Sequence, residues 1–217
     1  MHNQKTIKRL FDILFASCVL FVTSPLIFIG ALAVKLTSSG PAFYKAKRAG
    51  LGGKPFYMLK LRTMRVYTDT SDRKITDAVD DRITPVGKWL RKLKIDEFPQ
   101  FWNVLIGDMS IVGPRPEDYD IVQNYYTAEQ RRILKVRPGI TSPVEVRWYP
   151  DLTYHDLPPE GVSIQEHYLK RHLPIQVNEG LRYIERQNIF LDLQIIFQTF
   201  YCILIHSWLP PKRQSIS

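Results

Sequence analysis

Residues 13–34, ILFASCVLFVTSPLIFIGALAV, are 22 uncharged and mostly apolar positions. At 1.5 Å per residue they make about 33 Å of helix, close to the hydrocarbon thickness of a bilayer. Two other readings compete with a membrane segment. One is a buried core helix. The other is a cleaved signal peptide, because Lys5, Lys8 and Arg9 precede the run and Ala31-Leu32-Ala33 resembles a cleavage site. The run is longer than the apolar region of a typical signal. Both cysteines, Cys18 and Cys202, lie in apolar surroundings and read as packing residues of a reducing compartment. The membrane reading is the one adopted.

Ser24-Pro25 falls almost in the middle of this run. Proline removes a backbone donor and clashes with the preceding turn. Both flanks are basic, with Lys5, Lys8 and Arg9 on one side and Lys35, Lys45, Lys47 and Arg48 on the other. One straight span cannot keep both flanks on the cytoplasmic side, as the positive-inside rule asks. A helix bent at Ser24-Pro25 into two arms of roughly 10 to 12 residues, each about half a bilayer deep, does so. The expectation is therefore a re-entrant membrane helix over residues 1–36 and a membrane-associated catalytic domain over 37–217, with a kinked full span as the alternative.

The chain has 217 residues and 45% apolar content, enough for a real core. Its formal net charge of +9 is unevenly placed: residues 1–65 hold eleven Lys and Arg against one acid, Asp12, whereas the remainder holds nineteen against twenty. A nucleic-acid binder would carry its positive charge over the folded body, so nucleic acid is not the expected partner. Residues 41–48 and 55–63 alternate in character around Gly50–Gly53 and read as a β-hairpin whose second strand carries Lys60 and Arg62. Residues 65–82, with Asp69, Asp72, Asp77, Asp80 and Asp81, read as a polar loop. Thr84-Pro85 predicts the N-cap and first residue of a short helix with Val86, Trp89, Leu90 and Leu93 facing inward and Lys88, Arg91 and Lys92 on the other face. Thr127–Gln130 and Ser163–Glu166 have the form of capping boxes, and 138–150 reads as a turn followed by a short extended segment. The last apolar stretch, 189–209, is broken by Asp192, Gln194, Gln198, Thr199 and His206, which suits an amphipathic helix lying either in the membrane interface or against a core. The fold class expected is α+β and mostly helical, with one small hairpin and interfacial helices around the catalytic one.

The stretch 94–116, KIDEFPQFWNVLIGDMSIVGPRP, sets Asp96 and Glu97 between basic residues and Arg115. Asp96 can act as an N-cap with Pro99 in the first turn, while Phe98, Phe101, Trp102 and Leu105 recur at helical spacing. Acids at such an end can hold a phosphate once a metal or an arginine offsets the repulsion. Taken alone, the pair could equally be capping, Arg115 a rigid loop, and Lys60 and Arg62 the blunting of an edge strand.

The combination resembles the bacterial sugar transferase family, small monotopic phosphoglycosyl transferases that begin glycan assembly on a polyprenol phosphate. The resemblance rests on KRLFDI at 8–13, Ser24-Pro25, SGP at 39–41, KLRTM at 60–64, RITPVGKWLRK at 82–92, IDEFPQFWNVLIGDMSIVGPRP at 95–116, RPGIT at 137–141 and LDL at 191–193. With seven residues before KRLFDI, the chain is expected to have no room for the extra membrane helices and domain of larger relatives. The resemblance implies Asp96 as nucleophile on the β-phosphate of a UDP-sugar, expelling UMP and forming a phosphosugar-aspartate that polyprenol phosphate then attacks. It implies Glu97 as the second acid, Mg²⁺ held by Asp96 and Glu97, and phosphate contacts from Lys60, Arg62, Arg91 and Arg115. It places the enzyme at the inner membrane with its catalytic domain on the cytoplasmic face, in contact with membrane lipids and compatible with a homo-oligomer. After RPGIT the family commonly continues with glycine and an aromatic or small residue, whereas this chain has Ser142-Pro143-Val144. A non-catalytic membrane adaptor and a UDP-sugar hydrolase are the competing functions.

Overall fold

The computed structural model describes residues 2–65, 82–148, 158, 159 and 161–208. The acidic stretch read as a polar loop lies outside the described residues except at its ends. The chain divides into two compact units, Met1–Arg48 with Pro55–Ile111, and Ala49–Lys54 with Val112–Ser217. The expected α+β, mostly helical class with a long apolar N-terminal helix and a small hairpin is what the structure has.

The first unit is built along helix α1 (His2–Thr37), the one helix among the described residues long and apolar enough to cross a membrane. Pro25 lies inside it. Proline cannot donate to the carbonyl four residues back, here that of Phe21, and Ser24 Oγ donates to that carbonyl at 2.9 Å. The Ser-Pro pair thus satisfies a group that lipid could not. Large side chains around it, Phe21, Val22, Phe28 and Ile29, face outward, with Phe21 84% exposed. At the N-terminal end, Arg9 donates to Val104 O (2.7 Å) and Leu105 O (2.9 Å), and buried Asp12 accepts from Ser110 Oγ (2.8 Å) and Ile111 N (3.1 Å). At the other end, Val34 packs with Leu61 and Leu90. Gly30 sits so close that an added Cβ would lie 2.8 Å from Leu61 Cδ1.

Strands β1 (Phe43–Ala49) and β2 (Pro55–Leu61) form the expected hairpin, turned by a short 3₁₀ segment, Leu51–Gly53, in which Gly52 and Gly53 both adopt positive φ. Beyond β2 the backbone continues to pair, through a Met64–Ile83 bridge and Thr84 N donating to Thr63 O at 3.0 Å. Helix α2 (Pro85–Lys92) starts as the sequence predicts, Thr84 Oγ1 accepting from Gly87 N at 2.9 Å with Pro85 first. Gly87 and Leu90 face inward, but Trp89 and Leu93 are 65% and 54% exposed, contrary to the expectation. Periodicity marks apolar faces, and in a domain beside a membrane such a face need not be the core.

Helix α3 (Gln100–Ile106) corrects a second expectation. Its N-cap is Pro99, not Asp96; Asp96 and Glu97 lie in a separate 3₁₀ turn, Ile95–Glu97. Buried Gln100, Asn103 and Val104 face the unit, while Trp102 and Ile106 are exposed.

In the second unit, Val112 ends strand β3 (Ser110–Val112), which pairs with β4 (Gly139–Thr141). Helix α4 (Tyr119–Tyr125) is capped by Asp118, whose side chain accepts from Asp120 N. Thr127 and Gln130 form a reciprocal capping box (3.2 and 2.9 Å), which opens a 3₁₀ stretch, Gln130–Lys135. Residues 143–148, expected as extended, are helix α5 (Pro143–Trp148). Ser142 Oγ accepts from Glu145 N at 3.4 Å and Pro143 suits a first helical turn, so the extended part of 138–150 ends with β4. The expected cap Ser163 opens α6 (Ile164–His167), which passes through a π turn, Tyr168–His172, into α7 (Leu173–Arg186). Helix α8 (Ile189–Trp208) buries Asp192, Ile195 and Ile196 and exposes Phe190, Leu193, Phe197, Phe200, Tyr201 and Leu204. It therefore has both a core face and an outward apolar stripe.

Candidate active site

β2 and its extension deliver the basic residues of the first unit. Lys60 lies near the end of β2, and its Nζ meets Glu97 Oε1 at 3.1 Å. Arg62, the next residue pointing the same way along the chain, is buried, and its guanidinium binds Ser38 O (2.8 Å), Ser38 Oγ (2.9 Å) and Ser39 O. In the structure it fastens the turn after α1 to the end of β2. Arg91 is placed by α2. One turn earlier, Gly87 is in such close contact that an added Cβ would lie 2.1 Å from Thr63 O, and Arg91 Nε donates to Thr63 Oγ1 at 2.9 Å.

The chain reverses after α2 at Lys94, the single non-glycine residue with positive φ (56°) among those described. A lysine there is strained, a state usually imposed by surrounding structure at functional positions. The reversal leads into the 3₁₀ turn that carries Asp96 and Glu97. Asp96 is 6% exposed, and its Oδ1 has no hydrogen-bond partner. Burial, and then the neighbouring Glu97 carboxylate, push its acid up to about 6, opposed by Lys60, Lys94 and Arg91. A carboxylate with one unengaged oxygen, kept largely ionised at neutral pH by three nearby cations, can attack or coordinate. Asn103 ties α3, which follows this turn, to β2: its side chain accepts from Leu59 N (2.9 Å) and donates to Tyr57 O (2.8 Å). The residues suit a magnesium ion, since Asp96 Oδ1 and the Glu97 carboxylate are hard oxygen donors, and Mg²⁺ commonly uses one or two carboxylates with water and substrate phosphates.

Arg115 belongs to the second unit. Its loop is fixed by Gly139 N donating to Pro114 O (2.8 Å) and Gly113 N donating to Thr141 O (3.1 Å). Buried Glu117 anchors its far end, accepting from Asp118 N (2.8 Å), Gln176 Nε2 (2.9 Å) and Tyr168 Oη. Burial and this carboxylate hold the Tyr168 phenol well above its ordinary range. Arg115 itself is ion-paired with Glu145.

Lys60, Arg91, Asp96 and Glu97 are thus gathered in one unit, Arg62 is engaged at the foot of α1, and Arg115 is presented by the other unit. The sequence reading missed Lys94, Asn103, Glu117, Glu145 and Tyr168. Positive φ at a lysine carries no composition signal, and the others act through partners 30 to 59 residues away along the chain. Glu145 alone had a local sign, three residues after a capping serine.

Basic residues gathered around a buried carboxylate, on a unit with a bilayer-length apolar helix, fit a membrane-associated protein that handles phosphate groups. The chain belongs to the bacterial sugar transferase family, whose model matches residues 3–206. It is 38% identical over 200 residues to the UDP-glucose:undecaprenyl-phosphate glucose-1-phosphate transferase of Caulobacter vibrioides, covering 91% of this chain and 69% of that one. A protein of the same name from Klebsiella pneumoniae is 39% identical over 198 residues, 89% of this chain and 39% of the relative. The UDP-N-acetylgalactosamine-undecaprenyl-phosphate N-acetylgalactosaminephosphotransferase of Aeromonas hydrophila is 34% identical over 200 residues, 91% of this chain and 44% of the relative. The chain therefore spans less than half the length of the last two.

Proposed function

We propose that this chain is a phosphoglycosyl transferase that moves a sugar-1-phosphate from a UDP-sugar to a polyprenol phosphate at the membrane surface. The observation that carries this reading is Asp96, a buried carboxyl with one unengaged oxygen beside the Lys60–Glu97 pair. Asp96 attacks the β-phosphorus of the UDP-sugar. A phosphorus–oxygen bond forms to the carboxylate, the bond from that phosphorus to the bridging oxygen breaks, and UMP leaves with the electron pair. The polyprenol phosphate oxygen then attacks the same phosphorus, releases the Asp96 carboxylate and completes a polyprenol diphosphate sugar. Dividing the reaction this way lets a water-soluble and a lipid substrate use one site in turn. Lys60 and Arg91 bind and orient the diphosphate and stabilise charge developing on it, and Arg115 is proposed as a phosphate ligand from the family resemblance. Asp96 and Glu97 would hold Mg²⁺, which when bound supplies charge neutralisation at the diphosphate.

The names of the relatives support a UDP-sugar donor and undecaprenyl phosphate acceptor, with glucose and N-acetylgalactosamine as the first sugars to try. A re-entrant α1 is supported by its contacts: Arg9 and Asp12 before the apolar run, and Gly30 and Val34 at its end, are all held by the same unit. Together with the basic flanks, this favours both ends on the cytoplasmic face of the inner membrane.

Protein in nanodiscs, given Mg²⁺, undecaprenyl phosphate and a panel of UDP-sugars, is expected to release UMP only when the lipid is present. UMP with free sugar phosphate would identify a hydrolase, and no turnover with any nucleotide sugar an adaptor. Asp96→Asn is expected to abolish both turnover and a trapped phosphosugar adduct while membrane association persists.

A further inference from the structure

Two stiff pieces of backbone in the second unit converge on one exposed ion pair. The first carries Arg115 between Pro114 and Pro116, whose rings fix their own φ. Its loop lies in backbone contact with β4: an added Cβ on Gly113 would be 2.5 Å from Arg137 O, and one on Gly139 would be 2.2 Å from Gly113 N. The second piece is the continuation of β4 into α5. Ser142 accepts from Glu145 N through its carbonyl (3.1 Å) and its hydroxyl (3.4 Å), Val144 is buried, and Arg147 Nη1 contacts both oxygens of buried Glu179 (2.9 and 3.1 Å). From these frames Arg115 Nη1 donates to Glu145 Oε1.

The two side chains are 49% and 31% exposed, and a pair that open contributes little to folding. The helix dipole accounts for an acid in the first turn of α5, but not for its alignment on Arg115. We infer that Glu145 is a positioning residue: it fixes the direction in which Arg115 presents its guanidinium and sets the net charge that an incoming nucleotide diphosphate meets. This rests on Arg115 being a phosphate ligand. It also gives the Ser142-Pro143 departure a role, since that pair starts the helical turn that brings Glu145 into place.

The carboxylate has two separable effects. Its oxygen holds one arm of a planar fork, and orientation decides whether such a fork engages phosphate bidentately. Its charge opposes an approaching anion, an effect screened by salt. Glutamine keeps an acceptor oxygen at the same reach and removes the charge; alanine removes both. Titrating UDP with Mg²⁺ into the full-length protein in detergent separates them. Glu145→Gln is expected to tighten UDP binding about threefold at low salt, with the gain fading at high salt. Glu145→Ala is expected to weaken binding about fivefold or more at either salt, with an unchanged melting temperature and a lower kcat/KM for whichever UDP-sugar is turned over. Wild-type UDP affinity in both variants would overturn the inference, as would an alanine variant that binds as tightly as the glutamine one. Arg115→Ala binding UDP like wild type would instead remove Arg115 as a phosphate ligand, and this inference with it. Weak binding by Arg115→Ala beside unaltered Glu145 variants would overturn only the role of Glu145.

Discussion

Asp96 ionises against its surroundings, because burial and Glu97 raise its acid to about 6 while Lys60, Lys94 and Arg91 pull the other way. The folded carboxyl binds its proton more tightly than the unfolded chain does. The stability this provides is full below about pH 4, where both states are protonated, and is lost as pH rises through about 6. At neutral pH the native charge is therefore a cost, and Asp96→Asn, besides its expected loss of activity, is expected to be more stable than wild type by about 2 kcal/mol in magnesium-free buffer. Thermal melts across pH check this; an asparagine variant that melts lower at neutral pH would show the carboxylate to be net stabilising. The carboxyl is expected to titrate near pH 6 in magnesium-free protein, and Lys60→Met should move that titration upward by removing an opposing cation. The placing of Asp96 and Glu97 among basic residues was legible because it is a local pattern. The burial of Asp96 was not, since it depends on packing contributed by α1, α2 and β2.

At the scale of elements, the site depends on how closely α2 approaches the end of β2. Gly87→Ala would put a methyl into the Thr63 carbonyl and force the helix outward. The expected result is a loss of about 1–3 kcal/mol together with reduced turnover, as Arg91 leaves Thr63 Oγ1. A variant of wild-type stability and activity would mean that α2 can shift freely. Helix starts were readable where capping is local, as at Thr84-Pro85, Thr127 and Ser163. Two were misread. Asp96 looked like a cap, but the αL reversal at Lys94 spends that segment on a separate 3₁₀ turn. The range 138–150 reads as a turn and a short extended segment; Gly139–Thr141 is a strand, but from Pro143 the chain is helical, with Ser142 and Pro143 providing the start. Trp89 and Leu93 were assigned inward because periodicity finds a face without saying what covers it.

For the whole molecule, the testable property is the course of α1. Labels at Met1 and Gly50 are expected on the same side of the membrane, and labels on opposite sides would sink the re-entrant reading. Ser24→Ala removes the donor to the Phe21 carbonyl where lipid offers no substitute, so it should favour an altered insertion and lower the fraction of properly inserted protein. The lone acid of residues 1–65 is explained at this scale too: Asp12, deeply buried, binds Ser110 and Ile111 and ties the start of the apolar run to its unit.

By itself the sequence determined the apolar length of α1 and its Ser-Pro interruption, the hairpin, most helix starts, and the identities of the acids and bases, because each depends on neighbours within a few positions. Only the tertiary structure decided that Asp96 is buried with an unengaged oxygen, that Arg62 holds a turn, and that Glu145 meets Arg115. Those outcomes depend on contacts between segments distant in sequence, where desolvation and close packing, rather than residue type, set what a charged group can do.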